Sequence, residues 1–200
     1  MPIAINGSGT VTGISVGGLP DGIVDTDMLA AKAATAPKLG NGSILQVVST
    51  DKTTAFSTTS NSFVDVTGLS VSITPSSTSN KVLVFIDLKW GQSTDDGEFF
   101  ARAVRDSTAV FVGTGSTGNR TPCFFGIEDT NAGSRFQLSQ ASAVFLDSPN
   151  TTSSTTYKVQ VKCHAANNTQ TIPINRVHED TNHNYNPAAA SSITVIEVAA

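Results

Sequence analysis

Charged residues are scarce in this chain of 200 residues. Lys, Arg, Asp and Glu make up 14% of it, against about a quarter in an average soluble domain. The 12 Lys and Arg residues do not cluster, and the formal net charge is −4. A chain without a basic patch has no electrostatic footprint for a polyphosphate. We therefore expect no nucleic-acid partner.

Long apolar runs and cysteines are also scarce. No run approaches the roughly 18 apolar residues of a transmembrane helix, so we expect no membrane insertion. The opening MPIAINGSGTVTG has neither the basic nor the apolar region of a signal peptide, which predicts synthesis and folding in a cytoplasm. Cys123 and Cys163 are then expected to be free thiols, with Cys163 in the core. A disulfide between them stays an open alternative.

Ser, Thr and short β-branched runs take the place of charge. LSVSITP, residues 69–75, alternates apolar and polar side chains, and YKVQVKC, residues 157–163, repeats this pattern. KVLVFIDLKW, residues 81–90, is apolar on both faces in its middle and is predicted to be a buried central strand. FFARAVRDSTAVFVG, residues 99–113, is predicted to be a hairpin turning at Asp106 and Ser107. Many short strands separated by turns predict an all-β, antiparallel, jelly-roll-like sandwich over residues 41–200.

Residues 1–40 differ from the rest of the chain. Apolar residues are spaced among glycines, and Pro20 and Pro37 bracket a short helix predicted at about residues 26–36. A helix of this length is unstable alone in water, so its apolar stripe needs a partner. A flexible tail is the alternative interpretation of this segment. We predict a boundary between residues 1–40 and residues 41–200.

Several stretches resemble bacteriophage tail-fibre and short virion-fibre proteins, particularly those of marine and cyanobacterial phages. TGISVGGLPDGIVDTDMLA, residues 12–30, is similar to a segment found just ahead of a fibre tip. The stretches FVDVTGLSVSITPSSTSNKVLV from Phe63, FLDSPNTTSSTTYKVQVK from Phe145, TIPINR from Thr171 and SSITVIEV from Ser191 are similar to tip sequences. Together the similar stretches extend over most of the chain.

The resemblance implies a homotrimer located in the virion. A β-sandwich head is expected at the C-terminus, after a Gly-rich shaft segment and one short helix, with another virion protein holding the N-terminus. Glycines allow three backbones to approach one axis. The residues expected to face that axis are Ile14, Val16, Leu19, Ile23, Met28 and Leu29.

Motifs of catalysis are weak in this sequence. GTGSTG, residues 113–118, matches a dinucleotide-binding pattern, but NRTPCFF follows it where such a site needs a helix N-terminus. The carboxylate groups Asp95, Asp96 with Glu98, and Glu128 with Asp129, are expected in solvated polar turns. We predict no enzyme and no cofactor, although paired carboxylates leave a small polysaccharide hydrolase as an alternative.

The polar stretch INRVHEDTNHNYNP, residues 174–187, is the most suggestive for binding. His178, Asp180 and His183 allow a metal site, but no metal is predicted. The other interpretations are an exposed loop whose polar residues face water and a loop that contacts a receptor. Planar amides and guanidinium groups bond sugar hydroxyls, and aromatic rings cover apolar sugar faces. The predicted receptor contacts are Trp90, Arg120, Arg176, His178, His183 and Tyr185. For Trp90, which ends a predicted strand, a place at the edge of the core is the alternative interpretation.

The resulting hypothesis is a virion fibre protein whose head adheres to a host surface glycan or outer-membrane component. A structural connector or decoration protein that binds only virion partners is the first alternative. The hydrolase is the second. A secreted tumour-necrosis-factor-like module is a third, and the missing signal peptide argues against it.

Overall fold

The computed structural model of the chain describes residues 39–91, 97–114, 118–129, 136–164 and 171–200. Internal contacts divide the chain into two units, Met1–Leu39 and Gly40–Ala200. The predicted shaft, its axis residues Ile14 to Leu29 and the predicted helix lie outside the described residues. The described part of the chain contains no helix, and thus none long and apolar enough to span a membrane.

The described residues form eleven strands, and each strand predicted from the sequence overlaps one of them. The strands are β1 (Ile44–Lys52), β2 (Phe56–Thr58), β3 (Val64–Ile73), β4 (Lys81–Gly91), β5 (Gly97–Arg105), β6 (Thr108–Val110), β7 (Phe125–Asp129), β8 (Leu138–Asp147), β9 (Thr155–His164), β10 (Ile172–Ile174) and β11 (Ser191–Val198).

The strands form two antiparallel sheets. Sheet I has six strands and is centred on β4, which pairs with β8 along one edge and with β11 and then β10 along the other. Strand β1 lies outside β11, and β2 outside β10. Sheet II has five strands, in the order β3-β9-β5-β6, with β7 also paired to β5. The predicted all-β antiparallel sandwich is confirmed.

The core lies between the inner faces of the two sheets. Every second side chain of β4 points inward, and Val82, Val84, Ile86, Leu88 and Trp90 are each at most 2% exposed. Cys163 on β9 is 1% exposed, as predicted for a core residue, and both cysteines are free thiols. Burial raises the pKa of Cys163 to about 11. The predicted central strand β4 is indeed central in its sheet, but its outer face remains partly open, since Phe85 is 38% exposed.

The predicted hairpin at Asp106 and Ser107 is confirmed. Arg105 pairs with Thr108, so β5 and β6 are joined by a two-residue turn. Asp106 has a φ of 53°, the left-handed conformation that such tight turns require and that Asp tolerates.

The sandwich has two distinct ends. At the near end the chain passes to residues 1–39, and Gly42 and Ser43 bond to Ala199 beside the C-terminus. At the far end β4 finishes and β5 begins, and the ring of Trp90 lies 4.8 Å from that of Phe99. The far end also holds the ends of β7 and β9 and the beginning of β8.

Candidate functional site: a groove on the outer face of sheet II

A groove with a volume of about 570 Å³ opens on the outer face of sheet II towards the far end. Strands β5, β7 and β9 form its floor, and the connection from β6 to β7 forms its wall. The lining residues are Glu98, Phe100, Asn119, Arg120, Thr121, Cys123, Gly126, Ile127 and His164.

The floor of the groove is aromatic because Phe100 points away from the core. Its neighbours Phe99 and Ala101 are fully buried, so period-two alternation turns the Phe100 ring outward. Phe100 pairs with Gly126 on β7. A Cβ atom at position 126 would lie 2.9 Å from Cδ1 of Phe100, too close for a side chain there. Glycine at this position therefore lets the ring lie across β7.

A carboxylate and an imidazole stand at the far end of the floor. Glu98 and His164 are directly paired across β5 and β9. Nδ1 of His164 lies 2.9 Å from Oε2 of Glu98. Both side chains remain accessible, His164 at 61% and Glu98 at 35%. They offer one bonded pair of polar groups to a ligand beside the Phe100 ring.

The wall of the groove comes from residues 119–123. Two backbone bonds hold this segment, from the Gly113 N–H to the Cys123 carbonyl at 3.4 Å and from the Phe124 N–H to the Ala101 carbonyl at 3.0 Å. Burial raises the pKa of Cys123 despite the nearby Lys162, so its thiol is neutral at physiological pH. Arg120 is exposed, and no carboxylate among the described residues pairs with it. Within the described residues its guanidinium is therefore a cation of the groove that forms no ion pair.

Next to the groove, basic side chains cover a second aromatic ring. The guanidinium of Arg102 lies 4.0 Å from the centre of the Phe63 ring, and Nζ of Lys162 lies 5.0 Å from the centre of the Phe100 ring. Hydrogen bonding to Lys158 is the largest factor lowering the pKa of nearby Asp65. The outer face of sheet II is thus polar and charged around its aromatic floor.

A second exposed aromatic group lies at the far end. The rings of His183 and Tyr185 are stacked 4.9 Å apart, and Phe136 meets Tyr185 edge-on at 5.2 Å. Tyr185 is 55% exposed and Phe136 44%. The side-chain amide of Asn186 donates to the carbonyls of Glu179 and Thr181, which holds the loop around these rings. We call Phe136, His183 and Tyr185 the aromatic cluster.

The predicted receptor contacts separate into three groups. Arg120 lines the groove, and His183 and Tyr185 belong to the aromatic cluster. Arg176 pairs with Asp180 at 3.1 Å, and His178 is half-buried nearby. No three His, Cys, Asp or Glu side chains within the described ranges are grouped to hold a metal ion, so His178, Asp180 and His183 do not form a site within one chain.

Trp90 is a core residue rather than a contact residue. It is 1% exposed because it points inward from β4, where its ring packs against those of Phe99 and Phe125. The sequence allowed an accessible ring because Trp90 ends its strand, but residues of sheet II cover the ring.

Of the carboxylates considered for catalysis, those that the structure describes lie on strands and not in the polar turns that the sequence predicted. Glu98 belongs to β5, and Glu128 and Asp129 belong to β7, while Asp95 and Asp96 lie outside the described residues. Gly118, with a φ of 82°, ends the glycine-rich stretch in an irregular segment and not in a helix, as predicted.

Sequence reasoning missed most of the groove. Phe100, Asn119 and His164 come from three separate parts of the chain, and only strand pairing brings them together. The one available signal was the alternation in FFARAVR, which indicates that Phe100, and not Phe99, is the exposed phenylalanine. Nothing in the sequence pairs β5 with β7 and β9.

No family model matches the chain, and no curated protein sequence matches it. Two similar solved structures are those of infectious bursal disease virus, Gx strain and Gt strain, each 12% identical in sequence. The TM-scores are 0.37 and 0.36, with 76% and 79% of this chain covered. The chain spans only 38% and 40% of those viral chains. Similarity at this level assigns neither a family nor a function.

Proposed function

We propose that this chain is a virion fibre protein whose sandwich is an adhesive head for a glycan, or a glycan-bearing outer-membrane component, of the host surface. The groove on sheet II is the observation that carries the proposal. It places the exposed side chains of Arg120 and Asn119 beside the ring of Phe100.

These three side-chain types suit the chemistry of a sugar. A pyranose ring has an apolar face, which an aromatic ring covers, and a rim of hydroxyl groups. A guanidinium offers donors in a planar fork, and an amide offers both donors and an acceptor. Glu98 adds acceptors at the far end of the same floor. A polyhydroxylated ligand can therefore be bonded on its rim while its apolar face rests on Phe100.

The layout of the sandwich agrees with this role. The chain passes to residues 1–39 at the near end, whereas the groove and the aromatic cluster lie towards the far end. In the proposed fibre the N-terminal segment binds another virion protein and three copies form a homotrimer. Several heads on one particle multiply a modest affinity through effective concentration.

Binding of the full chain to a printed array of bacterial lipopolysaccharides and capsular polysaccharides tests the proposal. We expect the wild type to bind a subset of these glycans. Arg120→Ala should weaken that binding about tenfold or more, because a bond to a charged donor contributes about 1.5–3 kcal/mol. Phe100→Leu keeps an apolar floor but removes the aromatic face, and should weaken binding about threefold to tenfold.

Lys89→Ala is the matched control, since Lys89 is a basic side chain on the outer face of sheet I, where it pairs with Asp87 at 2.8 Å outside the groove. It should bind like the wild type. Equal binding by all four chains would place the contact elsewhere. If the wild type binds no surface glycan, the adhesion proposal fails and the connector alternative, with virion partners alone, takes its place.

A further inference from the structure

The outer face of sheet I is apolar over its near-end half. Strand pairing places Val47, Ile196, Leu83 and Leu146 in one continuous row across four strands. In the next row Phe85 lies opposite Val144. We call these six residues the apolar face.

Among the described residues, none covers the apolar face. Val47, Val144 and Leu146 are 57%, 56% and 58% exposed, and Phe85 is 38% exposed. Leu83 and Ile196 are half-buried between them. Single exposed apolar residues are common, but a contiguous patch of large ones marks an interaction surface.

The other described rows of the two outer sheet faces carry more polar and charged side chains. On the far-end half of the same face the next rows carry Asp51, Ser192, Asp87, Ser142, Lys89 and Gln140. The outer face of sheet II carries Asp65, Arg102, Lys158, Gln160 and Lys162. The apolar face is therefore a local feature, and it explains why β4 is apolar on both of its sides.

We propose that a second copy of this chain packs on the apolar face. The face carries no charged side chain, so its occupant must present an apolar surface of similar extent, and the same face of another copy supplies one. Interfaces between identical subunits are on average more apolar than those of non-obligate complexes. Around a rotational symmetry axis every copy turns the same surface towards the axis, so the apolar faces of the three copies of the proposed fibre can meet there.

The position and extent of the face fit this occupant. It lies at the near end, where each copy passes to residues 1–39, so copies joined there have their apolar faces within reach of one another; this step rests on the proposed fibre. Stable interfaces bury about 800 Å² on each partner, more than six side chains expose. The neighbouring row adds Ile44, which is 62% exposed, and Val198, and it ends at Lys81, whose ammonium donates to the Ser148 hydroxyl. The hydroxyls of Ser49 and Thr194 extend the surface on the other side.

The free edge of β8 supports the same conclusion. Among the described strands β8 pairs with β4 alone, and Val144 and Leu146 lie on it. An uncovered edge strand with exposed apolar side chains can form backbone hydrogen bonds with other chains and so promote aggregation. A second copy on the apolar face would shield this edge.

Cysteine reactivity in the full chain tests the proposal. Leu146→Cys places a thiol on the apolar face, and Gln140→Cys places one on the exposed polar half of the same strand and the same side of the sheet. Labelling by N-ethylmaleimide, followed by peptide mass spectrometry, separates these sites from Cys123 and Cys163. We expect labelling at position 146 to be about tenfold slower than at position 140 and to speed up on dilution, because only dissociated copies react.

Light scattering on the same samples identifies what covers the face. Slow labelling that accompanies a mass above that of one 20.7 kDa chain supports the proposal. Equal labelling at both positions at every concentration overturns it. Slow labelling in a monomer also overturns it, because residues 1–39 of the same chain would then be the cover.

A second pair of variants keeps the proposal testable if the Leu146→Cys chain does not fold. Leu146→Lys should expose a Val144→Cys reporter in the full chain, whereas Gln140→Lys should leave that reporter protected, since only the former places a charge in the interface. Unchanged protection in both overturns the proposal. Glycan binding is measured separately, so an assembled chain that binds no glycan contradicts the adhesive function and leaves the interface intact.

Discussion

Glu197 is a carboxylate placed where an apolar residue is expected. It points inward from β11 and is 1% exposed. Its oxygens accept bonds from the side-chain amides of Gln46 and Asn80, each at 2.6 Å, and from the backbone and hydroxyl of Ser76. Burial alone raises the pKa of Glu197, but these donors outweigh it and hold the pKa below its usual value of 4.5. The residue thus ties β1, the turn after β3 and the start of β4 together at the near end.

Replacing Glu197 by Gln should lower the free energy of unfolding at pH 7 by about 2 kcal/mol. The amide nitrogen of Gln cannot accept a hydrogen bond, so it would face donors that are left without an acceptor. A lowered pKa contributes stability that is complete above pH 4.5 and is lost as the pH falls through the folded-state value. The difference between wild type and variant should therefore shrink in acid. Urea unfolding at pH 7 and pH 3, at one protein concentration, measures both differences.

The control for this experiment is Asp51→Asn, which changes an exposed carboxylate on β1. It should have little effect at either pH. A Glu197→Gln variant that is equally destabilised at both pH values would show that its cost is one of packing and not of charge.

Among binding residues, Arg120 shows what a single residue type can predict. A lone arginine in a glycine-rich loop has no core to enter, so its exposure follows from the sequence. Trp90 shows the opposite case, because its burial depends on a strand of the other sheet.

At the scale of elements, the loop from β10 to β11 depends on Asn175. This residue is 2% exposed and has a φ of 65°. Its side-chain amide donates to the Lys52 and Thr54 carbonyls at 2.7 and 3.1 Å, and its side-chain oxygen accepts from the Ser191 hydroxyl at 2.6 Å. Asn175 thereby joins the end of β1 to the start of β11 beneath the loop that carries His183 and Tyr185.

Asn175→Ala should cost about 3 kcal/mol, since it removes these bonds and forces a side chain into the left-handed conformation. Asn175→Gly loses the same bonds but adopts the conformation freely, so it should cost about 1 kcal/mol less than the alanine variant. Thermal unfolding of the three chains measures both differences. Identical losses of stability in the two variants would show that backbone strain contributes nothing to the cost. Small losses in both would show that the hydrogen bonds of Asn175 contribute little.

Strands were the most predictable elements. Strands β3 and β9 each bury one face, as in LSVSITP and YKVQVKC, and their period-two patterns locate them without any tertiary information. Strands β2 and β10 have three residues each, too few for a period to be visible. They form only because β10 finds a place beside β4 and β2 pairs with it.

At the scale of the whole molecule, the carboxylates of the groove bear on the choice between adhesion and hydrolysis. Glycoside cleavage commonly uses two carboxylates on either side of the scissile bond. Glu98 is the carboxylate among the described lining residues, and it is bonded to His164. Cleavage would need a second carboxylate near Glu98, so the proposed adhesive function predicts binding without cleavage.

We therefore expect the chain to release no new reducing ends from a polysaccharide that it binds. Incubation with that polysaccharide, followed by a reducing-sugar assay over several hours, measures this directly. The Glu98→Gln variant serves as the comparison. Release of reducing ends by the wild type, and its loss in the variant, would establish the hydrolase alternative.

The sequence by itself determined the all-β class, the sandwich, most strands and the hairpin at Asp106, because these follow from local alternation and turn chemistry. It also marked Arg120, His183 and Tyr185 as exposed polar or aromatic groups. Only the tertiary structure decided that Phe100, Arg120 and His164 share one groove, that Trp90 is buried, and that the outer side of β4 joins an apolar face. The physical reason is that a strand's sequence states which side chains share a face, whereas strand pairing decides what each face meets.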